Sequence, residues 1–283
     1  MPESTRMPVV AGQFYPASTT ELAVQIETSF MHELGPGHLP DIVDSRVREC
    51  VGLISPHAGY AFSGHIAAHA YCALAEDGHP DVAIVVGLNH GRAGHASAVQ
   101  TTGAWRTPLG AVSIAEDVAE SIAEALPSFE TGVDAFSAEH SLEVQLPFLQ
   151  YLYEEALLFV PVMMGSQDIE SAREVGEAIA AAVESRDAVV IASTDMTHYE
   201  SAAVARRQDQ MLIRHIEQLD AEGLIAERAE RQISMCGAGP VAATIIAAQA
   251  MGAMTANSLA YATSGDVMPA PEVVGYYAAA LMR

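Results

Sequence analysis

Five side chains able to hold a metal or move a proton fall where apolar runs of strand length stop or where a helix starts: His57, His90, Asp195, His198 and Cys236. His57 lies in Ser55-Pro56-His57-Ala58-Gly59-Tyr60, directly after Val51-Gly52-Leu53-Ile54. Proline and glycine end that run, leaving an imidazole at the carboxyl end of a strand. His90 closes Gly87-Leu88-Asn89-His90 after the all-apolar Val82 to Val86. Asp195 and His198 belong to Ser193-Thr194-Asp195-Met196-Thr197-His198, which follows the run Ala188 to Ala192. Cys236, in Met235-Cys236-Gly237, precedes an alanine-rich helix over about 241 to 251, where the helix dipole and free N–H groups favour a thiolate. Open α/β sheets take ligands beyond the carboxyl ends of their strands, so one mononuclear metal site built from loops on a sheet rim accounts for all five. Imidazole and thiolate suit iron, copper or zinc better than magnesium or calcium. An ordinary polar rim accounts for the same residues, and a spread of about 180 residues leaves no local spacing to decide between the two.

The other histidines read more plainly. His65 and His69 share one face of a helix over Gly64 to Leu74, but the glutamate of a zinc-protease motif is missing between them, so they are structural helix residues. Glu139-His140-Ser141-Leu142-Glu143 opens a helix bearing Leu142, Leu146 and Leu149, with His140 and Glu143 on one face. That is either a functional pair or a charge cluster at a helix start, with Glu139 near the positive dipole end. His38 and His95 are loop residues, and His215 sits on a helix surface. Cys50 and Cys72 are surrounded by apolar residues and read as buried small hydrophobes.

The elements that must position these residues alternate. After an irregular arm over 1 to 18, a helix capped by Thr19 or Thr20 carries Leu22, Ile26 and Phe30 at helical spacing. Trp105 to Gly110 is a turn leading into a hairpin, and Pro161 marks the run 157 to 162 as an edge strand or a strand end. Helices at about 115 to 126, 169 to 183, 201 to 218 and 221 to 229, with closing strands at about 258 to 263 and 274 to 282, leave no long linker. The expectation is a single α/β domain over residues 1 to 283, with no internal repeat.

Composition narrows the function class. The 283 residues carry 36 acidic side chains against 13 basic ones, a net charge of −23, and every basic residue is arginine. Nucleic acid is excluded as a main partner, because phosphate binding needs clustered cations. No apolar run reaches the roughly 18 to 20 residues of a membrane span and no signal core opens the chain, so the expected setting is cytoplasmic, without a membrane partner. Three widely spaced cysteines imply neither a disulfide framework nor a C-x-x-C zinc pair, which fits a reducing compartment.

Read together, Ala11-Gly12-Gln13-Phe14-Tyr15, Ser55-Pro56-His57-Ala58-Gly59-Tyr60, Gly87-Leu88-Asn89-His90, Arg106-Thr107-Pro108-Leu109, Glu139-His140-Ser141-Leu142-Glu143, Ser193 to His198 and Met235-Cys236-Gly237 resemble, in this order, the Memo family. This is the protein B family of the AmmeMemoRadiSam grouping. The resemblance spans nearly the whole chain and implies a central mixed sheet flanked by helices, in the LigB-like fold of class III extradiol dioxygenases. Carried over position by position, it implies His57, His90 and Cys236 as metal ligands, with Asp195 and His198 as pocket residues in the place of the catalytic apparatus. Val10 stands where some relatives have histidine. Those dioxygenases hold Fe(II) with two histidines and a carboxylate, whereas a thiolate as third ligand alters metal preference and oxygen chemistry.

The expectation is therefore a metal-dependent oxidoreductase using iron or copper, with zinc as the other metal. The competing expectations are an interaction module whose pocket takes a peptide or partner protein, and a metal-dependent hydrolase with His198 as base. The resemblance also implies a functional link to a radical-SAM protein.

Overall fold

The computed structural model describes residues 5–43, 48–91, 97–154 and 157–283. His95 lies outside them. In chain order the elements are β1 (Thr5–Arg6), α1 (Thr19–Met31), β2 (Cys50–Ser55), α2 (Tyr60–Asp77), β3 (Val82–Leu88), β4 (Ala98–Val99), β5 (Ala104–Thr107), β6 (Gly110–Ser113) and α3 (Glu116–Ala125). Then follow α4 (Leu146–Tyr153), β7 (Leu158–Met164), α5 (Ile169–Ala182), β8 (Ala188–Ser193), β9 (His198–Glu200), α6 (Ala202–Glu217), α7 (Ala221–Arg231), α8 (Ala238–Ala250), β10 (Thr255–Thr263), α9 (Ser264–Val267) and β11 (Val273–Met282).

The main sheet runs β10-β11-β2-β8-β3-β7-β4, with β9 pairing β11 off that path. Strands β2, β8, β3 and β7 are mutually parallel; β11 runs antiparallel to β2, β10 antiparallel to β11 and so in the direction of the central four, and β4 antiparallel to β7. The expected mixed sheet flanked by helices is thus present. β2, β3 and β8 are buried along their whole length, as continuous Val, Ile, Leu and Ala runs in parallel strands require. The register Ser55↔Ser193 and Val86↔Ala192 brings the carboxyl ends of these three neighbours level, so the chain after each of them opens onto one rim.

A smaller sheet, β1-β5-β6, closes one side, with Trp105 and Arg106 inside the hairpin strand β5 and the turn falling at Pro108-Leu109. Its anchor is Arg6, whose guanidinium lies 4.0 Å over the Trp105 ring and bonds Glu143 at 2.6 Å.

Four local expectations change. Ser18, not Thr19 or Thr20, caps α1 by accepting from the Glu21 N–H. Pro161 lies inside β7 opposite Val85, and its missing N–H is tolerated because β4 pairs β7 only at Val162 and Met163. His215 is half-buried and hydrogen-bonded to Asp220 at 2.8 Å. Residues 139 to 142 are not helical: a 3-10 turn starts at Glu143 and α4 at Leu146.

Candidate metal centre

His57 follows β2, His90 follows β3, Asp195 and His198 follow β8, and Cys236 arrives just before α8. Together they line one cavity of about 420 Å3 on the sheet rim. The three atoms His57, His90 and Cys236 offer to a metal lie within 4.8 Å of one another, and Cys236 Sγ stands 3.4 Å from His57 Nε2.

Hydrogen-bond accounting fixes which nitrogen each imidazole presents. Ser193 Oγ has one proton and donates it to the Ser141 carbonyl at 2.7 Å, while accepting from Gln145 Nε2 at 2.8 Å. Its contact with His57 Nδ1 at 2.9 Å is therefore made by the ring N–H. The Nε2 lone pair is left facing Cys236. His90 repeats the device, since its Nδ1 meets the carboxylate of Glu139 at 2.9 Å, an acceptor, which frees Nε2. His198 Nδ1 faces two carbonyls, Met196 at 2.8 Å and Ser234 at 3.0 Å, so its other nitrogen is the one available to the cavity.

Glu139 is the buried hinge of this arrangement. Besides the His90 ring it accepts from the N–H groups of His90 (2.7 Å), His140 (2.8 Å) and Ser141 (2.6 Å). Burial opposes its ionisation, but the His90 ring and these N–H groups outweigh it and hold the carboxyl down at about 2. Nothing here resembles a helix-start charge cluster. His140 stacks on His90 with ring centroids 4.4 Å apart and meets the His57 ring edge-on at 5.6 Å. Burial, then the neighbouring His57, depress its pKa to about 4. Glu143, expected beside it, instead turns away to Arg6 and to the Tyr15 hydroxyl at 2.5 Å. Without a helix over 139 to 142, spacing by three residues does not place two side chains on one face. Glu139 is thus the cleft residue that spacing missed, and His140, expected as either one of a functional pair with Glu143 or part of a charge cluster, reaches the cleft without Glu143; the available signal was a polar Glu-His-Ser run beside long apolar segments.

Asp195 is buried and accepts the His57 N–H at 2.8 Å. Burial raises its pKa, against the hydrogen bonds it receives. Cys236 departs from expectation. It precedes the cap residue Gly237, yet burial and then the Asp195 carboxylate push its thiol up to about 12. Desolvation and a nearby anion outweigh the helix end. The Asp195 N–H, 3.2 Å from Sγ, donates toward the sulfur. A cation bound beside a thiol so placed would draw off its proton, and the Nε2 atoms of two imidazoles converge on the same point. The donor set therefore fits a soft or borderline transition metal.

The other candidates stay structural. His65 stacks on His32 at 4.4 Å, and His69 bonds the Leu34 carbonyl at 3.1 Å, each tying α2 to the segment that follows α1.

The fold and this rim define a single-domain α/β protein with a histidine- and cysteine-lined cleft at the carboxyl ends of a mixed sheet. A family model described as Memo-like protein matches residues 6–280. A MEMO1 family protein of Methanopyrus kandleri is 50% identical over 98% of this chain and 99% of its own. Those of Methanothermobacter thermautotrophicus and Pyrobaculum aerophilum are 44% and 43% identical over 96% of this chain, and over 98% and 96% of their own. The chain belongs to the Memo family. Among the described residues no helix is long and apolar enough to cross a membrane.

Proposed function

We propose that this chain binds a redox-active ion, iron or copper, through His57 Nε2, His90 Nε2 and Cys236 Sγ, and works as an oxidoreductase on a small molecule admitted to the cleft. The observation that carries the proposal is the convergence of those three atoms within 4.8 Å, with both imidazoles committed through Nδ1 to protein acceptors. When bound, iron or copper supplies electron transfer toward an oxygen species. The protein's own part is to orient the imidazoles through Ser193 and Glu139, and to give up the Cys236 proton on loading. His198, whose Nδ1 faces two carbonyls, turns its other nitrogen to the cavity as an acceptor for a proton of a bound molecule, and Asp195 holds the His57 loop in place. Elemental analysis of protein purified without chelator tests this, with His57→Ala and Cys236→Ala each expected to lose the ion. Equal metal content in all three refutes it.

Tyr199 favours a second reading, a pocket that binds a peptide or partner protein. Beside His198 at the rim, it adopts φ 57° and exposes 74% of its surface. A bulky residue held in the left-handed region and turned to solvent suits a contact surface. A stable partner recovered equally by wild type and Cys236→Ala, and lost with Tyr199→Ala, supports that reading.

A further inference from the structure

A second group of ligating side chains lies away from the cleft, where the segment after α1 crosses α2. Cys72 and Glu76 are one turn apart on the same face of α2, and His38 reaches them from the segment 32–43. His38 Nε2 stands 2.7 Å from Glu76 Oε1 and 3.6 Å from Cys72 Sγ, and Sγ is 3.5 Å from Glu76 Oε1.

We propose that His38, Cys72 and Glu76 form a second metal site, for zinc or a similar tetrahedral divalent ion, which clamps the 32–43 segment onto α2. The proposal does not depend on the reading of the cleft. Zinc bonds of about 2.3 Å to sulfur and about 2.0 Å to nitrogen or oxygen set tetrahedral ligand edges of about 3.5 Å from sulfur and about 3.3 Å between nitrogen and oxygen. Both sulfur edges already match, and the nitrogen–oxygen edge opens by about half an ångström to admit the ion.

A second observation points the same way. His38 Nδ1 lies 3.2 Å from the Pro36 carbonyl, which can only accept, so Nδ1 carries the proton. Without a metal the Cys72 thiol donates to Glu76 Oε1 and the His38 ring, its pKa raised first by the Glu76 hydrogen bond, pairs with the same carboxylate; a divalent ion would take the place of these shared protons at the point where the three ligand atoms converge. A ring N–H fixed by a backbone carbonyl is also the usual support of a metal-bound histidine. Gly37, at φ 83°, makes the turn that presents His38. Cys72 is buried, whereas His38 and Glu76 are open to solvent, so an ion enters from outside and the fourth position is left for water. Cys72 is thus more than a small hydrophobe, and His38 more than a loop residue.

The test uses the full chain carrying Cys236→Ala, which takes the thiol out of the cleft, loaded with Co(II) in place of zinc. One tightly held cobalt with a sulfur-to-cobalt charge-transfer band is expected in this background. Adding Cys72→Ser should abolish the band, and adding His38→Ala should weaken cobalt binding at least tenfold. His38 is exposed, so its variant keeps the test decisive should Cys72→Ser disturb folding. Absence of the band in the Cys236→Ala protein, or a band indifferent to both added substitutions, overturns the proposal. Metal lost between wild type and Cys236→Ala reports on the cleft alone, so the two sites fail separately.

Discussion

Glu139→Gln is the substitution that best separates the cleft's architecture from its ligands. The carboxylate divides its work unevenly. Oε1 accepts from the His90 ring, the His140 N–H and the Ser141 N–H, while Oε2 accepts the His90 N–H at 2.7 Å. An amide with its oxygen in the Oε1 position keeps three of these contacts without the charge and turns its NH2 group on the His90 N–H. One charge-assisted bond lost and two donors opposed cost about 2 to 3 kcal/mol of folding stability, which leaves the protein folded. The His90 ring then keeps only a neutral acceptor while its own backbone N–H is opposed, so the ring is held less firmly, and weakening such an outer partner lowers metal affinity about 10- to 100-fold. Glu143→Gln is the matched control. It removes the same charge four residues on and weakens bonds to Arg6 (2.6 Å) and the Val9 N–H (2.9 Å), but touches no histidine. Urea melts and competition with a chromophoric chelator for the same metal measure both quantities. Both variants should lose stability and only Glu139→Gln should lose affinity. Unchanged affinity in Glu139→Gln, or an equal loss in Glu143→Gln, would refute the assignment of Glu139 as the residue that positions His90.

Two further outcomes follow from packing and burial. Burial, then the neighbouring His32, lower His65 to about 4, so its imidazole is neutral in the fold but titrates near 6.5 when unfolded. The unfolded chain then binds the extra proton as pH falls, and stability drops between about 6.5 and 4 by about 1.4 kcal/mol per pH unit at most. Urea melts at pH 7 and pH 5 should show a loss about 2 kcal/mol smaller in His65→Leu than in wild type, and equal losses would contradict it. Gly87, near the end of β3, leaves no room for a methyl group, since a Cβ there would meet Ser141 Oγ at 2.6 Å and Leu142 at 2.8 Å. Gly87→Ala should cost about 1 to 3 kcal/mol by overpacking and, by shifting the strand that carries His90, weaken metal binding; thermal melts with the same chelator assay read both.

The strand-end residues were legible because a short all-apolar run ended by proline, glycine or a polar cluster has few readings other than a buried parallel strand and its exit. Val51 to Ile54, Val82 to Val86 and Ala188 to Ala192 each became central strands, and the residues just beyond them met on one rim. The helix assumed over 139 to 142 was not legible correctly. Its apolar periodicity is real, but Glu139 binds four N–H groups of the chain around it and of the His90 loop, which holds that stretch in a turn until Glu143. Cys236 shows the same limit: a position before a helix predicts a thiolate, whereas burial and Asp195 oppose one.

The sequence by itself determined the alternation of strands and helices, the absence of a basic surface, and which histidines and which cysteine stand at strand ends or a helix start. These are consequences of local pattern and composition. Only the tertiary structure decided that Glu139 and Ser193 hold the two imidazoles, that His140 stacks into the cleft while Glu143 turns to Arg6, and that His38 meets Cys72 and Glu76. Those facts rest on which atoms lose water together and which donors face which acceptors across distant parts of the chain, and no local pattern encodes that.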